Sequence, residues 1–216
     1  MAPAPAVRPI GESAVLIDFG GEISVATNER VVALDRALAA APPLGMVETV
    51  PAYVALMIVF DPLVTEGDHI AAHALTLLET AATEQRTPRE HVIPIRYTAA
   101  PDLEAVATAT GLTPEEVIAR HLDGEYRVFM YGFGPGYAYL GGVPHALQVP
   151  RKPRAERGHP VGSVIIAGPQ CLITTLPMPT GWWVIGHTDA VILDSVRAQP
   201  FLFDPGDVIR FRRAEN

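Results

Sequence analysis

Tyr126–Leu140, YRVFMYGFGPGYAYL, is dense in aromatic residues, holds Gly132, Gly134, Pro135 and Gly136 almost in a row, and carries no charge after Arg127. A core strand has no use for that many turn formers. Glycine reaches positive φ and lets another backbone approach closely, and proline fixes φ and gives up a donor, so GFGPG reads as a rigid turn between two strands. Such a turn lets Phe133, Tyr137 and Tyr139 flank a concave surface. Downstream the pattern stays that of short strands with Gly and Pro turns, closing with Pro205-Gly206-Asp207 before a last strand, which predicts a β-barrel or sandwich.

Upstream the periodicity changes. Asp102–Thr110 and Thr113–Leu122 read as two short helices around Gly111, the second with Thr113 and Glu116 at capping-box spacing and Pro114 in its first turn. Val92–Tyr97 alternates as a strand. Earlier still, Ala14–Phe19 is β-like, and Glu22–Ala41 carries Ile23, Ala26, Val31, Leu34 and Leu38 at helical spacing until Pro42-Pro43 stops it. Gly45–Phe60 reads as extended, with Pro51 at a bulge or edge, and Gly67–Gln85 is helical through Ile70, Ala74, Leu77 and Leu78. This β-α-β-α order, with its third block able to split into a hairpin, predicts a small helix-on-sheet domain. The polar stretch Thr83–Arg89, with Pro88, is the expected linker, so the predicted domains are 1–88 and 89–216 and the class is α+β.

A length of 216 residues, 49% apolar and 19% charged, suits one large or two small packed domains rather than a disordered chain. A formal net charge of −8 disfavours nonspecific contact with nucleic acid or anionic membrane. Cys171 is alone, which leaves no intrachain disulfide or cysteine zinc cluster and reads as a buried, inert thiol. MAPAPAVRP lacks the apolar core of a signal peptide and is expected to be a loose tail. The longest apolar run, Tyr53–Phe60, is far short of the roughly 20 residues that span a bilayer, and a cytoplasmic location is expected. Lys152 is the one lysine, and no G-x-x-x-x-G-K motif surrounds it, which argues against P-loop or Schiff-base chemistry. The Gly132-x-Gly134-x-Gly136 spacing is no dinucleotide fingerprint, and no G-x-S-x-G elbow exists.

The aromatic stretch also resembles the G-F-x-P-G-F-x-Y-L signature of the family variously called the 5-oxoprolinase B-subunit, allophanate hydrolase subunit 1 and Kip-type kinase inhibitor. Further blocks resemble it in the same order: Val50-Pro51-Ala52-Tyr53; Pro101–Glu104; Glu115–Ile118 and His121; Pro150-Arg151; Pro160–Val164; Ala167-Gly168 and Gln170; Gly181-Trp182; Gly186 and Thr188; Gly206–Phe211. The resemblance covers nearly the whole chain. It implies a cyclophilin-like barrel behind a smaller α/β domain. It also implies one component of a cytoplasmic, heteromeric, ATP-dependent hydrolase that opens the lactam of 5-oxoproline to glutamate. The partners would be a larger C-subunit (allophanate hydrolase subunit 2-like) and often an A-subunit. ATP, used by the assembled complex rather than through a P-loop here, would activate the resistant amide carbonyl by phosphorylating its oxygen. Arginines would neutralise the moving charge.

Residue by residue, the resemblance implies Arg151 and Arg154 as anion contacts and His121 as a proton-transfer or positioning group. Phe133, Pro135, Gly136, Tyr137, Tyr139, Ser163, Gln170, Trp182, His187 and Thr188 would line the substrate site. Plainer readings stand beside these. His121 also suits a helix C-terminus through the macrodipole. Arg151, Lys152, Arg154 and Arg157 form either an anion clamp or a solvated basic loop. Ser163 in VGSVIIAG reads as a strand-start serine, His69 and His73 as a solvated helix face without a zinc site, and His91 and His145 as surface residues. Neighbours on a strand point to opposite faces, so of Trp182 and Trp183 only one can line a pocket, and Trp182 matches the family position.

The chain departs from the family pattern in several places. The second P-R falls on Ala155-Glu156, with Pro153-Arg154 two residues early; P-G-G-W appears as Pro179–Trp182; Q-T-G as Gln170–Leu172; and G-R-T-P as Gly186–Asp189. His187 in place of a permanent cation predicts anion binding that strengthens as pH falls through roughly 6.5, provided the ring faces the site. Two other functions stay open at this stage. One is a binding module that docks on a sensor histidine kinase, using the aromatic patch at Phe133–Tyr139. The other is an accessory role in urea or allophanate-type amide metabolism. No metal is expected.

Overall fold

Ala14–Asp18 (β2) and Ala55–Phe60 (β4) pair antiparallel at the centre of a four-stranded sheet, with Ala6–Ile10 (β1) and Met46–Pro51 (β3) on the two edges. These assignments come from a computed structural model that describes residues 4–81, 87–98 and 100–214. Alternation puts Val15, Ile17, Leu56, Ile58 and Phe60 on one face. Val31, Leu34 and Leu38 of helix α1 (Val25–Ala40) and Ile70 and Ala74 of α2 (Gly67–Ala81) cover that face. The Ser24 hydroxyl caps α1 by accepting from the Thr27 N–H at 3.1 Å. His73, on α2, donates through Nε2 to the Ala41 carbonyl at the end of α1, 2.9 Å away.

Gly45–Phe60 does split into a hairpin, and Pro51 does lie on an edge strand, where a missing donor is tolerated. The N-terminal segment is a correction. Ala6–Pro9, the end of the expected loose tail, joins Ile10 in a strand that pairs with β2 from Ala6↔Asp18 to Ile10↔Ala14, and Pro9 fits because this strand too is an edge. The last four residues of the predicted second helix and most of the expected linker lie outside the described residues. The chain divides into Met1–Thr87 and Pro88–Asn216.

The second unit is a seven-stranded sheet in the order β10-β8-β9-β7-β6-β11-β5. Its strands are β5 (Glu90–Ile95), β6 (Tyr126–Tyr131), β7 (Ala138–Gly141), β8 (Ser163–Ala167), β9 (Gln170–Ile173), β10 (Trp183–His187) and β11 (Val208–Arg213). Its ends nearly meet: the Arg96 and His187 backbones exchange two 2.8 Å hydrogen bonds, joining the residue after β5 to the end of β10. The expected barrel is thus present. Helices α3 (Leu103–Thr110) and α4 (Pro114–Asp123) add Val106, Val117 and Ile118 to its main core. α4 carries the predicted capping box between Thr113 and Glu116.

β8–β10 explain the uninterrupted apolar run VIIA. Val164, Ile166, Cys171, Ile173 and Ile185 face the main core, while Ile165, Ala167, Leu172 and Val184 face a second cluster with Tyr137 and Trp182. Both faces are covered, so neither needs polar alternation. Cys171 is fully buried, and burial pushes its thiol far up, as expected for an inert position.

Candidate functional site

The GFGPG turn is tighter than a simple hairpin. The Gly134 N–H donates to the Gly132 carbonyl at 2.8 Å, and Phe133 between them has φ 65°, which makes a γ-turn of the rarer, strained form. Phe133 is the one non-glycine residue with positive φ among the described residues, and it is 72% exposed. Gly136, at φ 74°, is required twice over, because a Cβ there would lie 3.0 Å from both Thr175 Cγ2 and Leu193 Cβ. The Thr175 hydroxyl donates to the Pro135 carbonyl at 2.5 Å, and the Tyr137 hydroxyl to the Leu176 carbonyl at 3.2 Å, so the turn is tied to the segment after β9.

From this turn an aromatic cluster runs along the second face of the sheet, with Phe133 exposed and Tyr137 and Trp182 buried. The Phe133 and Tyr137 rings lie 5.7 Å apart, Tyr137 and Trp182 share the second apolar cluster, and Tyr139 meets Trp182 edge-on at 5.9 Å. The Arg151 guanidinium sits over the Trp182 ring at 5.5 Å. Trp183 points the other way, packing on the main core and donating its indole N–H to the Pro150 carbonyl at 2.6 Å. The two tryptophans therefore divide between faces as strand alternation requires.

The loop carrying the basic residues is anchored. The Lys152 N–H donates to the Gly181 carbonyl at 2.7 Å, and Glu156 and Thr180 exchange two 2.9 Å backbone bonds. Arg151, Arg154 and Arg157 are exposed and have no acidic partner among the described residues. Lys152 is a correction to the four-cation reading: its side chain is only 4% exposed, and Nζ lies 2.6 Å from both Asp102 Oδ2 and Glu156 Oε2. Burial alone would lower its pKa, but the two carboxylates outweigh that and hold it above the ordinary lysine value.

Other expected site residues make contacts within the fold. His121 is fully buried beneath Phe211, its ring 4.7 Å from that ring and its Nδ1 2.7 Å from the Tyr97 hydroxyl. Burial depresses its pKa to about 3. A neutral core histidine suits neither surface proton transfer nor the cation that a helix end would favour. The Ser163 hydroxyl donates to the Pro160 carbonyl at 2.7 Å, Thr188 is buried with its hydroxyl accepting from the Ala190 N–H at 3.1 Å, and Gln170 is half-buried at the start of β9. His187 is held at the barrel seam, Nε2 donating to the Val161 carbonyl at 3.0 Å and Nδ1 lying 3.4 Å from Arg96 Nη2. Arg96 in turn grips Asp189 with bonds of 2.5 and 2.7 Å. Two departures from the family pattern, His187 and Asp189, thus serve one closing contact.

The expectation for His91 is also corrected. It is mostly buried and donates to Asp207 Oδ2 at 2.9 Å. A cleft of about 410 Å³ nearby is lined by Arg89, Asp194, Arg197, Gln199 and Phe201 among others. Both its arginines are paired with aspartates, and none of the expected site residues lines it. No group of histidine, cysteine and carboxylate side chains among the described residues could hold a metal ion, and no helix among them is long and apolar enough to cross a membrane.

Comparison with known proteins bears on the family and the fold. The profile of the carboxyltransferase domain, subdomain C and D, matches residues 5–203. The chain is 33% identical to the 5-oxoprolinase B-subunit of Bacillus subtilis over 220 residues, covering 96% of this chain and 92% of that one. It is 34% identical to the 5-oxoprolinase B-subunit of Escherichia coli O157:H7, covering 94% and 93%. The chain belongs to the 5-oxoprolinase B-subunit family. Among solved structures, TTHA0988 is similar at 38% identity with a TM-score of 0.83, over 98% of this chain but 41% of that one. This member of the family therefore spans about two fifths of that longer polypeptide. The urea amidolyase of Kluyveromyces lactis shares the fold, at 16% identity and a TM-score of 0.76 over 98% of this chain and 15% of that one.

Sequence reasoning missed Asp102, Glu156 and the inward turn of Lys152. The signal it could have used was the lone lysine, followed four residues later by a glutamate at the position where the family pattern has arginine.

Proposed function

We propose that the chain is a non-autonomous, cytoplasmic component of an ATP-dependent amide or lactam hydrolase of the 5-oxoproline-to-glutamate type, working in a heteromer with a larger C-subunit and often an A-subunit. One observation carries the reading: in a chain similar over nearly its whole length to proteins named as the B-subunit of 5-oxoprolinase, Arg151 lies over Trp182, and Arg154 and Arg157, on the same anchored loop, are exposed with no acidic partner among the described residues. Guanidinium groups take carboxylate or phosphoryl oxygens in paired hydrogen bonds, and the aromatic cluster gives the rest of a small anionic substrate an apolar wall. Nucleotide binding falls to the assembled complex. The one lysine of this chain is committed to two carboxylates, so its residues fit contacts to substrate charge and not a phosphate cradle of the P-loop kind.

Steady hydrolysis of ATP or 5-oxoproline is expected only when the larger partner is added; turnover by the pure chain, free of contaminating ATPase, would refute the non-autonomous reading. In the reconstituted complex, Arg151→Ala with Arg154→Ala should raise KM for the anionic substrate. Stability should change by only about 0–1 kcal/mol, because both side chains are exposed. A loss of several kcal/mol with unaltered KM would make them structural. The second reading, a module that docks on a histidine kinase, draws on Phe133, exposed on a strained turn of the kind found at functional sites. Capture of a kinase by the chain, with no activity in the presence of the larger partner, would favour it.

A further inference from the structure

Lys152 and its partners join three parts of the barrel that carry the candidate site. Asp102, the residue before α3, does not cap that helix with its side chain. Its Oδ2 accepts from Lys152 Nζ at 2.6 Å and from the Val184 N–H at 2.7 Å, two residues past Trp182. Lys152 Nζ also reaches Glu156 Oε2 at 2.6 Å and lies 5.5 Å from the Trp183 ring centroid. The ammonium is thus enclosed and bound on both sides, while its neighbours Arg151, Arg154 and Arg157 face water. Inside the basic loop the charges are sorted: one cation turned in to hold the loop, three turned out.

We propose that Lys152 is a positioning residue that, through its bridge to Asp102 and Glu156, sets Arg151 over Trp182 and presents Arg154 on the same loop for a carboxylate- or phosphate-bearing ligand. The proposal rests on the reading of those arginines as anion contacts. Glu156, at the position where the family pattern has an arginine, contributes the outer half of the bridge. The chain exchanges one outward guanidinium for an internal strut.

The strut makes a prediction opposite in sign to simple charge. Glu156→Gln makes the loop more positive, so a plain cluster of cations would bind anions more tightly. If the bridge sets the geometry, affinity falls instead. Titration of the full chain with inorganic phosphate and with 5-oxoproline is expected to show binding weakened roughly tenfold in Glu156→Gln, with unchanged circular dichroism and melting temperature. Acylation of amines, read at the Lys152 peptide so that the α-amine is kept separate, reports on the same bridge, since the chain has one lysine. Lys152 should label slowly in the wild-type chain, more slowly with phosphate bound, and faster in Glu156→Gln. Unchanged or tighter anion binding in Glu156→Gln overturns the proposal. Should that variant not fold, Glu156→Asp, one methylene shorter at constant charge, carries the same expectation and the same refutation. Arg151→Ala with Arg154→Ala separates the two levels. If that pair leaves anion affinity unchanged, the arginine reading fails and the strut has nothing to position; if it lowers affinity while Glu156→Gln does not, only the strut is wrong.

Discussion

His121→Phe is expected to abolish an acid-triggered loss of stability that begins near pH 6.5 in the wild-type chain. The imidazole is enclosed by Tyr97, Tyr126 and Phe211, and burial holds its pKa at about 3. An unfolded chain restores the ordinary value near 6.5. Between those two values the unfolded state binds the proton and the folded state does not, so stability is complete above pH 6.5 and is lost as pH falls. The loss approaches about 1.4 kcal/mol per pH unit, or roughly 2 kcal/mol by pH 5. Phenylalanine fills the same stacked position but gives up the bond to Tyr97, costing about 1 kcal/mol at neutral pH. Urea unfolding of both forms from pH 4 to 8 should therefore give curves that cross, the wild type more stable at pH 8 and the variant at pH 5. Parallel curves would mean that His121 is protonated within the fold.

The elements legible in the sequence are those whose signal is local. The capping box at Thr113 and Glu116, the Gly and Pro of the GFGPG turn and the alternation that parts Trp182 from Trp183 each act within a few residues, and each appears where expected. β1 left no such signal. All five of its residues are exposed, so burial imposes no period on them, and only pairing with β2 makes them a strand. Lys152 reads in sequence as one of the four cations of the basic loop, because its deciding partner, Asp102, lies far back in the chain, before α3. His121 stands at the end of an amphipathic helix, and the chain order alone does not tell that Phe211 of the last strand closes over it. The aromatic cluster was legible for the reason the turn was, while the assignment of His187, Ser163 and Thr188 to the same site came from motif positions. Their hydrogen bonds instead serve the seam and its adjoining turns.

The largest single loss of stability is expected from Asp207→Ala, and it follows from strand register. β11 and β5 pair parallel with Val208 opposite Glu90, which places Asp207 beside Arg89 at the open end of that pair. The carboxylate is fully buried and accepts from the Arg89 N–H at 3.3 Å, Arg89 Nη2 at 3.2 Å, His91 Nε2 at 2.9 Å and the Asp204 N–H at 2.9 Å. Burial alone would raise its pKa, but the bonds from His91 and Asp204 and the charge of Arg89 outweigh that and hold it below the ordinary aspartate value. Removing the carboxylate leaves partly buried donors and a guanidinium without the anion around which they are arranged, a loss of about 3–5 kcal/mol. Asp207→Asn should fall between, since the amide keeps an acceptor but not the charge. The pH dependence separates this site from His121. A depressed carboxylate contributes above its unfolded value of 3.8 and loses that contribution only as pH drops through its lower folded value, well after His121 has acted. Calorimetry at pH 7 is expected to show a large drop in melting temperature for Asp207→Ala, with the His121-linked acid transition still present in the variant. A drop corresponding to less than about 1 kcal/mol would mean that water satisfies Arg89 and His91 as well as the carboxylate does, and that the parallel pair needs no pin at its end.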